Sequence, residues 1–463
     1  MREFDLLVLG GGTGNIVASA AADAGENVAL IERGPLGGTC LNRGCNPSKK
    51  LIHRANVIET IRGADSQGIS ATVEEIRFAE IVNNVRETIM AAATAKEERA
   101  RESEAITLYH CDGRFVDERT VEVAGEDARE PERLTAETVV LAGGSRPLIP
   151  EAIEGTDDTE FLTSDEALWL SERPDNLVIV GAGYIAAELG HFFSTMGSDV
   201  TIIGRSDRLL TREDAEIAAH VTEAYRDRLE VYLGYGVTKI GESANEKTVT
   251  AEDDSGTEIE VTGDRLLLAT GRRPNTDRWN VAAAGIETTE KDFVKTDESL
   301  RTTAEGVYSI GDIAGNHLFK HSGDKEAEYV LENAVHDGEA RVEYPGMAHA
   351  IFGSPQVASL GKTEDELDDD SYVVGRFAYD QAALGSTLDH HGGFCKVLVG
   401  DDDVLGCHIV GPEASTLIHE VSTAVAAGAD ATTIAETIHV HPALSEVVQG
   451  AFRDAVGMPP TGI

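Results

Sequence analysis

Two cysteines, Cys40 and Cys45, stand in the run GGTCLNRGCNPSKK at residues 37–50. The chain has five cysteines in 463 residues, so composition alone does not account for so close a pair. A disulfide needs its two Cα atoms within roughly 7 Å. Gly44 and Pro47 predict a tight bend followed by a helix start, which permits that approach. Cys45 then lies just before a first helical turn, where backbone N–H groups and the helix dipole favour a thiolate. Lys49 and Lys50 add positive charge. The expected chemistry is a dithiol–disulfide couple. A metal half-site would need a second Cys/His cluster at ligand spacing, and the sequence offers none, so no metal is expected. Two unrelated thiols are the plain alternative. Thiol exchange also needs a group that takes a proton from the attacking thiol and returns one to the leaving thiolate. The run HVHPALSEV, 439–447, supplies a candidate. His441 and Glu446 are five residues apart across Pro442 and a helix start, and a carboxylate near a histidine fixes its tautomer and raises its basicity. His439 is a second candidate, with no orienting partner evident in the sequence.

The elements that must position these groups begin at the N-terminus. FDLLVLG (4–10) reads as a buried parallel strand, GGGTGN (10–15) as a glycine-rich turn, and a helix and the strand NVALIE follow. Gly10, Gly12 and Gly14 allow the turn and a close backbone approach to a pyrophosphate, although Asn15 stands where a third glycine is usual. Glu32 ends the second strand, where a carboxylate binds a ribose hydroxyl. Residues 176–205 repeat the design with Gly181, Gly183 and Ala186, and Tyr184 and Ile185 open the helix. There the second strand ends in Gly204 and Arg205 instead of a carboxylate, with Arg208 and Arg212 following. A missing carboxylate with added guanidinium favours a 2′-phosphate, hence NADPH; ordinary surface arginines are the alternative. Strand-to-loop crossings follow at 138–150, with Gly143, and at 264–277, with Gly271 and Arg273. GVYSIGD (306–312) presents Asp312 to a ribityl chain, and Lys320 and His321 start a helix. Thr39 and Lys49 complete the candidate cofactor-binding set. Two dinucleotide units around one cysteine pair imply a relay from NADPH through FAD to sulfur, because a flavin hands a hydride's two electrons to a disulfide. The last part, from 346, alternates short strands and helices as an α+β unit. Cys111, Cys395 and Cys407 read as inert core thiols.

The chain has 82 acidic and 39 basic residues, a formal net charge of −43. A polyanion of this kind is not expected to seek nucleic acid or an acidic membrane. The acids are dispersed along periodic segments, which argues against a disordered acidic tail. No signal peptide and no apolar run of membrane-spanning length is seen, so a cytoplasmic protein is expected. The composition is similar to that of haloarchaeal proteins, whose surfaces stay hydrated in molar salt.

The markers GGTCLNRGCNPSK, GAGYIAAE, ATGRRPNTD, GVYSIGD and HPALSE resemble those of the two-dinucleotide-fold flavoprotein disulfide reductases, a likeness that covers essentially the whole chain. The resemblance implies an α/β fold of two Rossmann-like dinucleotide-binding domains plus a C-terminal α+β dimerisation domain. The expected boundaries are an FAD domain at 1–150, an NADPH domain at 151–275, a central domain completing the FAD site at 276–345, and an interface domain at 346–463. It further implies that Cys45 contacts the flavin and Cys40 attacks the substrate. Lys49 is implied to pair with Glu188 beside the flavin, and Tyr184 to cover the empty nicotinamide pocket. His441 with Glu446 would be donated across a homodimer. The glycine turn with Asn15 and the 320–333 run are similar to mycothione reductase, while the tail GMPPTGI lacks the cysteine pair of mercuric reductase and of large thioredoxin reductases. Arg43 and Asn46 depart from the commonest neighbours of the cysteines. Together with the acidic composition, the resemblance implies NADPH-dependent reduction of a small-molecule disulfide, bis-γ-glutamylcystine. The alternatives are dihydrolipoyl dehydrogenase using NAD, which His439-x-His441 suits, and a flavin-bound protein without catalysis.

Overall fold

The computed structural model describes residues 1–124, 131–244, 246–336, 338–368, 372–388 and 392–459; the final residues of the tail GMPPTGI fall outside that range. Arg2–Leu9 forms the middle of the first sheet, with Val28–Ile31 and then Ile106–Tyr109 on one side and Glu132–Leu141 on the other, all parallel. A run this apolar must be covered on both faces. Phe4, Leu7 and Leu9 pack on one face with Phe115, Val281 and Ile286. Leu6 and Val8 pack on the other with Val17, Ala18 and Ala21 of the helix Gly14–Asp23, and with Ala327 and Val330 of the helix Lys320–Ala334. Strands Asp112–Asp117 and Thr120–Ala124 add an antiparallel edge. Val307–Ser309 returns from far along the chain to pair in parallel with Val139–Leu141.

The second sheet is also parallel, in the order Glu230–Leu233, Asp199–Gly204, Asn176–Val180, Arg265–Leu268. A three-stranded antiparallel meander, Tyr235–Ser243, Glu246–Asp253 and Glu258–Gly263, covers one face through Ile240, Val249 and Ala251. The helix Tyr184–Met196 covers the other. The cysteine helix, Cys45–Gly63, packs on that helix, so Ile52 and Ala55 share a core with Phe192 and Phe193. One helix therefore bridges the two dinucleotide units. The sequence alone did not reveal the meander.

The C-terminal sheet is antiparallel, in the order Ala348–Ile351, Val357–Gly361, Asp403–Val410, Phe394–Gly400, Val373–Ala378. The helices Ala414–Ala426, Ala431–Glu436 and Ser445–Ala455 pack on it. Its Lys396, 2% exposed, reaches the fully buried Asp214 of the second unit at 2.9 and 3.1 Å. Two Rossmann-like units and a separate C-terminal domain are the expected fold class. Among the described residues, no helix is long and apolar enough to cross a membrane.

Candidate active site

The cysteines sit on either side of a break between two helices. Gly38–Arg43 carries Cys40, and Cys45 is the first residue of Cys45–Gly63. Cys40 thus lies in a short helix, where the sequence had suggested only a bend. Gly44 makes the break possible, since a Cβ there would stand 2.9 Å from the carbonyl oxygen of Thr39. Gly38, at φ +60°, lies against Gly12; a Cβ at 38 would stand 2.6 Å from the Gly12 Cα. The cysteine segment is in this way fitted to the first glycine turn.

Both sulfurs are thiols in this structure. A hydrogen bond to Cys45 is the main reason the Cys40 thiol is pushed up, and burial adds to it. The same bond is the main cause drawing Cys45 down to about 6; burial opposes it and the charge of Lys49 assists. Cys45 is therefore the thiolate of the pair. Lys49 Nζ donates to both carboxylate oxygens of Glu188, at 2.8 and 2.6 Å, and lies 5.0 Å from the centre of the Phe352 ring. The backbone N–H of Phe352 donates to the same carboxylate at 3.1 Å.

A cavity of about 1570 Å³ runs from Glu32 and Gly113 past the glycine turn to Cys40, Cys45 and Lys49. Drug-sized pockets occupy roughly 300–1,000 Å³, so this one suits a dinucleotide. Glu32 sits at its strand end, accepting from the N–H of Gly11 at 2.7 Å and of Gly34 at 2.8 Å. The wall is bare backbone where a phosphate group would approach. Gly10, at φ +107°, has no room for a side chain, because a Cβ would stand 2.3 Å from the Ala142 oxygen. At Gly143 a Cβ would meet Trp279 Nε1 at 2.1 Å. Asp312 accepts from Ser145 Oγ, which in turn accepts from Arg272 Nε at 2.8 Å. These residues fit FAD: a carboxylate for the ribose, a glycine turn for the pyrophosphate, Asp312 for the ribityl chain, and the cysteines and Lys49 at the ring end. Thr39 also lines the cavity. Gly14 is buried at the helix start, where its place against Val8 is one of packing. Gly271 and Arg273 do not line the cavity. Arg273 lies 3.8 Å from both Asp277 and Asp292, and the cation on the wall is its neighbour Arg272.

In the second unit, Gly181 and Gly183 form the turn before the helix, and Tyr184, Ile185 and Glu188 line the cavity from it. The strand ends of the two units correspond, since Gly10 and Gly181 donate to the carbonyls of Ile31 and Ile203. Glu32 therefore matches Gly204, and Gly11 matches Ala182. In the first unit the bare Gly11 leaves room for Glu32. In the second, a Cβ at Gly204 would stand 2.6 Å from the Cβ of Ala182. The slot that a ribose-binding carboxylate would use is filled by a methyl group. Arg205 is exposed, and Arg208 lies 3.7 Å from Asp365.

Several groups here have no sequence motif. Tyr184 Oη donates to Glu213, which is 3% exposed; Glu213 also bonds His349 Nε2 at 2.8 Å and Ser359 Oγ at 2.6 Å. Burial alone would raise the Glu213 carboxyl, but the bonds from His349, Ser359 and Tyr184 outweigh it and hold the group below its ordinary range. Phe319 stacks on His349 and His321, with centroids 5.1 and 5.5 Å apart. Lys320, paired with Asp324, and His321, bonded to the Ala348 carbonyl at 2.9 Å, face the cavity beside them. Cys111 lies on the cavity wall too, where the sequence suggested a core thiol, and so does His53. Cys395 and Cys407 are buried with their sulfurs 3.8 Å apart. His441 Nδ1 is 2.9 Å from Glu446 Oε1, and Glu446 Oε2 accepts from the N–H of Ala443 at 3.0 Å. Glu446 is buried, while the His441 side chain is 56% exposed and lies away from the cavity lining of its own chain. His439 does have an orienter, Glu420, at 3.4 Å. Among the described residues, no cluster of His, Cys, Asp or Glu could hold a metal.

Comparison with known proteins gives the same picture. The family model "Pyridine nucleotide-disulphide oxidoreductase" matches residues 4–338, and its dimerisation-domain model matches residues 347–452. The chain is 35% identical to dihydrolipoyl dehydrogenase 3 of Haloarcula marismortui, over 97% of this chain and 96% of that one. It is 34% identical to mycothione reductase of Mycobacterium tuberculosis, over 98% and 99%. The solved structure of the HOCl-induced flavoprotein disulfide reductase RclA from Escherichia coli, as its Cu(II) complex, superposes with a TM-score of 0.87 at 24% identity, covering 98% of this chain and 99% of that one; this likeness speaks to the fold. A cysteine pair at the end of a dinucleotide cavity, two dinucleotide units and a dimerisation domain are thus joined in one chain, which belongs to the pyridine nucleotide-disulphide oxidoreductase family of FAD-dependent enzymes.

Proposed function

We propose that this enzyme exchanges two electrons between a nicotinamide nucleotide and a small dithiol–disulfide couple, using FAD, Cys45 and Cys40. The observation that carries the reading is the cysteine pair, with its lowered Cys45 and the Lys49–Glu188 bridge, at the end of the cavity that starts at Glu32. FAD, when bound, relays the electron pair between nicotinamide and sulfur. Residues 1–150 and 276–345 hold it together, because the strand Val307–Ser309 brings Asp312 to the first sheet. Residues 151–275 take the nicotinamide nucleotide, with Tyr184 at its pocket, and residues 346–463 form the dimer and supply His441.

In the disulfide-reducing direction, the Cys40 thiol gives its proton to His441 and its sulfur attacks one substrate sulfur, so that the substrate S–S bond breaks. His441, oriented by Glu446, donates its proton to the leaving thiolate. The Cys45 thiolate then attacks the Cys40 sulfur, which closes the Cys40–Cys45 disulfide and releases the second substrate thiolate. Dithiol oxidation runs the same steps backwards. His441 stands away from its own chain's cavity, which fits donation across the dimer.

Two substrate readings follow. The curated relatives favour the dihydrolipoamide–lipoamide couple with NAD, since dihydrolipoyl dehydrogenases of Haloarcula marismortui and Halobacterium salinarum align over almost the whole chain. The closed carboxylate slot at Gly204 and the exposed Arg205 favour the second, NADPH-dependent reduction of bis-γ-glutamylcystine. Steady-state rates at molar KCl with NADH or NADPH, each paired with lipoamide or bis-γ-glutamylcystine, separate them. Cys45→Ser should abolish turnover in every combination, and persistence of turnover would overturn the shared mechanism.

A further inference from the structure

The chain carries about two acids for every base, and most cations around the cavity are matched to a carboxylate. Lys49 holds Glu188, Lys320 holds Asp324, and Arg43 lies 3.4 Å from Asp165. Lys50 and Arg54 are different. Both line the cavity, and neither has a carboxylate within ion-pair distance among the described residues. They are four residues apart on the cysteine helix, hence on one face. Arg54 Nη1 donates to the Lys50 carbonyl at 3.1 Å, so the guanidinium is turned back toward the lysine. Like charges at this spacing repel, and an isolated helix is weakened by them. At 1.5 Å per residue, they stand about 7.5 and 13.5 Å along the helix from Cys45. Cys40, Lys50 and Arg54 line the same cavity, so a molecule joined through sulfur at Cys40 reaches them with an anionic group if its chain spans that distance less the reach of the two side chains. Arg278, another cavity cation without an ion pair among the described residues, lies near Arg33, Arg146 and Arg43.

We infer that Lys50 and Arg54 bind a carboxylate of the substrate, so that the preferred disulfide is one bearing carboxylates a few bonds from sulfur. This rests on the function proposed above and names the substrate class of the same site.

The test compares disulfides that differ only in charge, using dimeric holoenzyme in 1 M KCl. At that salt the Debye length is about 3 Å, so contact pairs survive while diffuse steering is suppressed. Lipoate is set against lipoamide, and 3,3′-dithiodipropionate against its diamide. Wild-type kcat/KM should be higher for the carboxylate member of each pair. Lys50→Gln and Arg54→Gln should each lower the charged-to-neutral ratio about tenfold, as loss of a charged hydrogen bond does. Lys50→Arg should retain most of the ratio, and the surface control Arg226→Gln should leave it unmoved. FAD content confirms that each variant is folded. A wild-type ratio near one, an equal loss on both members, or an effect confined to the KM of the nicotinamide nucleotide would overturn the assignment while leaving the oxidoreductase reading intact. If FAD-loaded enzyme turned over neither pair and its cysteines stayed oxidised with excess NADPH or NADH, the underlying reading would fail as well.

Discussion

Cys45 and Cys40 are the same amino acid held in opposite protonation states by one hydrogen bond and one lysine. In enzyme first reduced with NADPH or NADH, alkylation of Cys45 by iodoacetamide, followed by peptide mass spectrometry, should reach half its limiting rate near pH 6. Lys49→Met should move that midpoint upward by removing the nearby charge. His441→Gln should lower kcat for disulfide turnover by about 10²–10⁴-fold, the usual worth of a positioned acid–base group, while the cysteine pair remains reducible by nicotinamide nucleotide. These groups could be read in the sequence because each sits in a short contiguous run whose spacing states its geometry. Glu213, His349, Phe319 and Arg272 could not. Glu213 and His349 come from different domains, and neither has a local pattern that announces the other. Arg272 and Arg273 are adjacent, and only backbone direction decides which one faces the cavity.

The matched turns of the two dinucleotide units offer a prediction at the level of the element. Gly204→Glu alone should destabilise by about 1–3 kcal/mol, because the new side chain is driven against Ala182. Ala182→Gly with Gly204→Glu recreates the Gly11–Glu32 arrangement and should shift the kcat/KM ratio toward NADH by at least about tenfold, a difference of ~1.4 kcal/mol. The missing acid at this strand end was legible as letters; that the Ala182 methyl group takes its place depends on how the turn folds against the strand end. Glu213 joins the helix of Tyr184 to the C-terminal sheet. Its carboxyl is held below its ordinary value, so its contribution is complete above the unfolded pKa and is lost as pH falls through the folded one. Glu213→Gln should cost about 1–3 kcal/mol near pH 7 and should flatten the acid limb of the stability–pH curve measured by denaturant unfolding. Strands Glu246–Asp253 and Glu258–Gly263 of the meander do alternate apolar and polar residues, a period-two signal in the sequence that could have found them.

For the whole molecule, a net charge of −43 makes self-repulsion a first-order term. The unfolding midpoint should rise steeply between about 0.1 and 1 M KCl, as the Debye length shrinks from about 10 to 3 Å, and a flat dependence would contradict that account. If His441 crosses the dimer, chains carrying Cys45→Ser, inactive alone, and chains carrying His441→Gln, slowed about 10²–10⁴-fold alone, are complementary when mixed. A heterodimer of the two has one site with intact cysteines and an intact histidine, so refolding them together should restore measurable turnover. Strand Val307–Ser309 has a consequence of another kind. The ribosome must emit about two thirds of the polypeptide before Val139–Leu141 meets its last neighbour. The nascent N-terminal sheet therefore waits with a bare edge while the segment around residues 176–268 can close its own sheet, so the order of synthesis and the order of completion are not the same.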